Sequence, residues 1–213
     1  MLNLEALIDQ VSRITPTYQK KLKKLGIKNV RDLLYYFPQR YNDFSEIINI
    51  SQAQNGKTIC VQGTVVQIAT EKTFRKWMNI TEAIIEDKTG QIKALWFNQS
   101  YIESYIKEGN FICLAGKVSL GKGGIYLNNP AYEKISEIDE PRNLTHTGRI
   151  IPVYSETRGV TSRWLRFVIK PILAQLYQEI PEILPEEILK KHKFLPIKQA
   201  VWQVHFPDSF EAA

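Results

Sequence analysis

Along the 213 residues, apolar positions recur every three or four residues, then every second residue, then every three or four again. In residues 1–50 the period is helical. Leu2, Leu4, Leu7, Ile8 and Val11 form one apolar face, and Tyr18, Leu22 and Leu25 form another. Leu25-Gly26-Ile27 predicts a helix stop, because Gly26 can take the left-handed conformation that closes a helix C-terminus. Asn29-Val30-Arg31-Asp32 opens a further short helix, Leu33–Phe37, which Pro38 ends.

From residue 51 to 138 the period is two. Thr58–Thr70 alternates β-branched and polar residues, with a bulge or bend expected at Gly63. Trp77–Glu86 and Gln91–Phe97 are two more strands, joined by a hairpin turn at Asp87-Lys88-Thr89-Gly90. Ser100 and Glu103 have the spacing of a capping box and predict a helix with Ile102, Tyr105 and Ile106 on one face, ended by Gly109. Asn110–Ser119 and Ile125–Tyr132 are the last strands, with a tight turn at 121–124. Three strands, a helix and two strands is the order of the five-stranded oligonucleotide/oligosaccharide-binding barrel, the OB-fold. Residues 139–213 return to helix: Thr161 or Ser162 caps Arg163–Tyr177, a second helix starts near Pro185, and a third covers Pro196–Val204. The expected class is α+β, a five-stranded OB-fold β-barrel (51–138) flanked by an N-terminal (1–50) and a C-terminal (139–213) helical segment.

Composition narrows this only modestly. The chain is 44% hydrophobic and 23% charged, as ordinary globular proteins are, and no apolar run is long enough for a membrane span. The N-terminus lacks the basic start and cleavage site of a signal peptide. Cys60 and Cys113, each in an apolar strand-like run, read as small core residues of a reducing compartment, so a cytoplasmic protein is expected. A net charge of +6 favours a polyanionic partner. It is unevenly spread: from Arg13 to Arg40 there are eight Lys/Arg and one acid, Asp32. That run is either a binding surface or a solvated helix face.

No catalytic machinery is recognisable. Gly116 to Gly123 approaches a phosphate-binding loop, but Gly123 stands where a Mg²⁺-binding hydroxyl is needed, and a strand follows where a helix is required. His146, His192 and His205 are far apart and lack neighbours at metal-ligand spacing. Neither catalytic nor metal-binding residues are expected. The binding pattern is more informative. Strand parity puts Lys93, Leu95 and Phe97 on one face and Ile92, Ala94 and Trp96 on the other. With Trp96 in the core, Phe97 faces outward beside Lys93, and Tyr101 follows at the first turn of the next helix. Phe97 then either stacks on a base or closes one end of the barrel. Lys72, Arg75 and Lys76, in the loop between the first two barrel strands, and Lys122, in the last hairpin, are candidate phosphate contacts with Lys93.

LKKLGIKNVRDLLYYFPQRYND at 22–43 strongly resembles the N-terminal signature of the RecG family, ATP-dependent DNA helicases that remodel stalled replication forks. The resemblance continues through WFNQSYI at 96–102, GRIIPVYSETRGVTSRWLR at 148–166 and HFP at 205–207. It implies an OB-fold wedge that binds forked or Holliday-junction DNA in recombination and repair. Phe97 and Tyr101 match the two aromatics that stack on bases as the parental duplex is parted. It implies a helicase motor in cis, using ATP and Mg²⁺, beyond HFP; this segment itself would need no cofactor and carry no ATPase activity. It further implies a monomer in the cytoplasm, at the nucleoid. The chain departs from the family at Ile14-Thr15-Pro16-Thr17, where relatives carry a glycine-rich hairpin; without glycines the backbone amides cannot approach a phosphate closely. Other readings are an OB-fold for single-stranded RNA or tRNA, a protein-interaction module acting through the helical segments, and an independent NTPase using residues 116–123.

Overall fold

The computed structural model describes residues 2–72, 78–135 and 146–209. The chain divides into two compact units, Asp43–Arg149 and a second made of Met1–Asn42 together with Ile150–Ala213. The two terminal segments that look separate in sequence therefore belong to one unit with one hydrophobic core, which draws on Ile8, Leu22 and Leu34 from one end and Leu165, Leu173 and Phe206 from the other.

Within that unit α1 (Pro16–Lys24) ends as expected. Gly26 adopts φ +82° and the Ile27 amide reaches back to the Leu22 carbonyl at 3.1 Å, burying Ile27 beneath the turn. Helix α2 (Val30–Leu34) starts three residues before the expected Leu33–Phe37 and stops at Tyr35, ahead of Pro38. Asn29 sets its start as the cap: its side chain accepts from the Asp32 amide while Asp32 accepts from the Asn29 amide. The helical face expected over residues 2–11 does not form. Only a single 3₁₀ turn, Ile8–Gln10, is present, and Leu7 is exposed. The amides of Ile8, Val30 and Arg31 bond instead to the carbonyls of Lys28, Ala6 and Leu4, so the segment lies antiparallel beside residues 28–31. Two strands that periodicity did not signal, β1 (Arg40–Asp43) and β7 (Ile150–Val153), pair into a small sheet. Helices α4 (Ser162–Leu176, capped by Thr161), α5 (Glu186–His192) and α6 (Ile197–His205) complete the unit.

The other unit is a closed barrel of β2 (Thr58–Lys72), β3 (Asn79–Asp87), β4 (Gly90–Phe97), β5 (Phe111–Gly121) and β6 (Gly124–Lys134) in the order β2-β3-β4-β6-β5, with α3 (Tyr101–Tyr105) between β4 and β5. The expected OB-fold order is thus the observed one. Its core gathers Val61, Ile85, Trp96, Ile102, Ile106 and Leu114 among others. The bulge in β2 lies between Val65 and Gln67 rather than at Gly63. Gly63 serves close approach instead: a Cβ there would stand 2.4 Å from the Glu86 carbonyl oxygen. Ser100 does not cap α3. It is itself in the helical conformation, the turn starts from the Gln99 carbonyl, and no capping bond forms. Tyr105 leaves the face of Ile102 and Ile106 and is half exposed, with Lys134 Nζ 4.8 Å from its ring centre. Among the described residues no helix is long and apolar enough to cross a membrane.

Candidate nucleic-acid interface

The outer face of β2, β3 and β4 is built in cross-strand rows. Register aligns Glu71, Ile80 and Phe97 in one row, Ala69, Glu82 and Leu95 in the next, and Gln67, Ile84 and Lys93 in the third. The parity is set from inside. Trp96 is buried, packs edge-on to Tyr132 at 5.9 Å and donates its Nε1–H to the Pro130 carbonyl at 2.8 Å. With Trp96 inward, its neighbour Phe97 must point outward, where it is half-buried. A cleft of about 570 Å³ on this face is lined by Ala69, Ile80, Ile84, Leu95, Glu82 and Lys72. Its lining is mixed, with four apolar side chains and charges of both signs from Lys72, Glu71 and Glu82.

Phe97 and Tyr101 are joined by a polar strap. After Phe97 the chain turns through Asn98, at φ 56°. Asn129, on β6, holds a left-handed conformation (φ 44°) that aims its side chain at this turn. Its Oδ1 accepts from the Phe97 amide at 2.9 Å and from Gln99 Nε2 at 3.3 Å. Gln99 Oε1 in turn accepts from the Tyr101 hydroxyl at 2.9 Å. The Gln99 carbonyl takes a further bond from buried Thr81. The Tyr101 ring, 57% exposed, is thus tethered at its polar tip. Asn129 and Gln99 carry no signal in the sequence: their role arises from a contact between positions some thirty residues apart.

The candidate cations are not equivalent. Lys72 is exposed at the end of β2, paired in register with Asn79, at the same end of the sheet as Phe97. Lys93 shares the face of Phe97, but its Nζ is 2.7 Å from the Glu82 carboxylate, so part of its charge is already answered. Lys122 is exposed in the β5–β6 hairpin, and the parallel register of β4 with β6 puts that hairpin toward the opposite end of β4 from Phe97. Arg75 and Lys76 lie outside the described residues.

Residues 116–123 are not a nucleotide loop. Gly116 sits in β5, where a Cβ would meet Pro130 at 3.0 Å, and the stretch ends in a β-hairpin. Among the described residues no cluster of three or more His, Cys, Asp or Glu could hold a metal ion. Cys60 and Cys113, fifty-three residues apart in sequence, lie with sulfurs 3.2 Å apart on neighbouring strands, both free and buried. The bond to Cys113, with burial, pushes the Cys60 thiol up from its ordinary value.

A family profile described as the RecG wedge domain matches residues 8–176. RecG from Thermotoga maritima is 34% identical over 98% of this chain, and RecG from Bacillus subtilis is 28% identical over 96%. These alignments take in 26% and 29% of the two relatives, so the chain spans about a quarter of their length. A structure of RecG bound to a three-way DNA junction superposes with a TM-score of 0.81 at 31% identity, covering 100% of this chain and 28% of the other.

Proposed function

Because the chain belongs to the RecG wedge-domain family, we propose that it is the branched-DNA-binding wedge of an ATP-dependent helicase acting in recombination and repair. Its ligand is forked or Holliday-junction DNA. In this reading Phe97 and Tyr101 replace the stacking that bases lose when the duplex is parted. Unstacking costs a few kcal/mol per step, and a base on an aromatic ring returns about 1–3. The observation that carries the proposal is the strapped pair itself: an exposed Tyr101 ring tethered through its hydroxyl to Gln99, and a half-buried, outward Phe97 whose backbone amide is held by Asn129. Rings held in place lose little entropy when a base arrives.

Lys72 then holds a phosphate near the rings without reading sequence, and Arg75 and Lys76 are further phosphate contacts in this reading. Lys93 contributes less because Glu82 competes for it, and Lys122 meets a more distant part of the ligand. ATP and Mg²⁺ belong to a motor in cis. The chain works as a monomer in the cytoplasm, at the nucleoid.

The test is binding of the wild-type chain and of Phe97→Ala with Tyr101→Ala to a fork, a plain duplex and a single-stranded RNA. The double variant should lose about 30-fold or more on the fork, from two stacking contacts at about 1–3 kcal/mol each, and little on the duplex. Equal losses on both DNAs, or tighter binding of RNA than of the fork by the wild type, would overturn the reading.

A further inference from the structure

The charge of the molecule is not where its aromatic site is. Residues 43–149, which form the barrel unit, hold twelve Lys/Arg and twelve Asp/Glu and are neutral. Residues 1–42 hold eight Lys/Arg and three acids, and residues 150–213 hold eight and seven. The whole net charge of +6 therefore resides in the helical unit, five-sixths of it in the first 42 residues. Two of the three acids there are occupied. Glu5 accepts from Arg31 Nε at 2.9 Å, and Asp32 accepts from the amides of Lys28 and Asn29.

Helix α1 arranges what remains. Leu22 is fully buried and Tyr18 and Leu25 flank it, so this side faces the core; Tyr18 stacks on Trp164 at 4.1 Å. Lys20, Lys23 and Lys24 project from the opposite side, all exposed, with exposed Arg13 just before the helix. Among the described residues none of these four has a carboxylate within ion-pair distance. Cations in a last helical turn do stabilise the helix C-terminus. That effect accounts for Lys23 and Lys24 but not for Lys20 one turn earlier, nor for the lack of the interspersed acids that a solvated face ordinarily carries.

We infer that the outer face of α1 is a second DNA-binding site, a contact for the phosphates of double-stranded DNA that does not read sequence. Three lysines over one helical turn present mobile point charges, which suits a phosphate ridge rather than the planar recognition that arginines provide. The inference rests on the DNA-binding reading above and adds a division of labour. The barrel supplies preference for the junction through its rings, and α1 supplies affinity for duplex through charge.

The experiment compares the wild-type chain with Lys20→Gln/Lys23→Gln/Lys24→Gln, titrating a plain duplex at several salt concentrations. Three phosphate contacts predict that the variant's slope of log affinity against log salt is shallower by about 2 to 3. Duplex affinity should fall about tenfold or more at 100 mM salt, while the ratio of fork to duplex binding is kept. Lys20→Arg/Lys23→Arg/Lys24→Arg should bind as the wild type does. If the triple glutamine variant were poorly folded, each single variant should still flatten the slope by about 1. An unchanged slope and affinity would overturn the inference, as would a wild type that binds no duplex. Polyglutamate competing as well as duplex at equal charge would also overturn it, by pointing to an acidic protein partner. Failure of the stacking proposal reads out separately, as an unchanged fork-to-duplex ratio in the Phe97/Tyr101 double variant.

Discussion

Asn129 is the residue on which the two rings depend, and its chemistry makes the dependence testable. Its Oδ1 accepts two of the strap's three bonds, so Asn129→Asp keeps those two and loses only the bond its Nδ2 donates to Asn128, whereas Asn129→Gly removes them while tolerating the positive φ. The glycine variant should lose about tenfold of fork preference and the aspartate variant nearly none, in the same fork and duplex titrations; equal behaviour of the two would remove the strap from the mechanism. Tyr101→Phe, which keeps the ring and cuts the tether, should fall between them. At this scale the sequence was half legible. Phe97 could be placed outward because Trp96 beside it had to go inward, a deduction needing only strand parity. Asn129, Gln99 and the pairing of Lys93 with Glu82 could not, since each requires the register between strands. Nor could the meeting of Cys60 and Cys113, which two separate apolar runs do not announce.

Among the elements, strands with local turns and caps were readable and those with distant partners were not. The barrel order follows from period-two runs separated by hairpin chemistry, and α1 and α2 from Gly26 and Asn29. Residues 2–11 misled because Leu2, Leu4, Leu7 and Ile8 fit a helical face, while their backbone groups are satisfied twenty residues away. Ser100 and Glu103 had the right spacing for a cap that Gln99 forestalls. The segments carrying the family resemblance around 33–34, 154 and 205 turn out to be a fold lock. His205 at the end of α6 sits fully buried, its Nε2 2.8 Å from the Leu34 carbonyl of α2 and its Nδ1 2.7 Å from the Tyr154 hydroxyl. With Nε2–H donating and Nδ1 accepting, the ring is neutral. Burial, against the pull of the Leu34 bond, holds its pKa down to about 4. An unfolded histidine titrates near 6.5, so the unfolded state takes up the proton first. This contribution is complete above about pH 6.5 and is lost as pH falls toward 4, amounting to about 3 kcal/mol. Denaturant unfolding of the wild type should weaken from pH 6.5 to 5, and His205→Gln should be weaker at pH 7 but flat over that range. The same slope in both would refute the assignment.

For the whole molecule, the barrel unit has its own closed sheet and core, and its ends meet, with the Phe44 amide on the Arg149 carbonyl at 3.1 Å. A chain cut to residues 43–149 should therefore unfold cooperatively in denaturant, and a non-cooperative transition would show that the other unit is needed to hold it. Without α1, that fragment should bind a fork with a salt slope shallower by about 2 to 3 than that of the full chain. The barrel closes through β4 and β6, which pair in parallel over only three positions, whereas β4 and β3 pair over eight. A force delivered to Phe97 along β4 is consequently taken up in shear by the whole β3–β4 ladder at once, the stiff direction of a sheet. A force at right angles would instead peel the short seam, one bond at a time. Asn129 ties the two sides of that seam together just where peeling would begin, so the strap that aims the rings also acts as the rivet that keeps the barrel shut under strain.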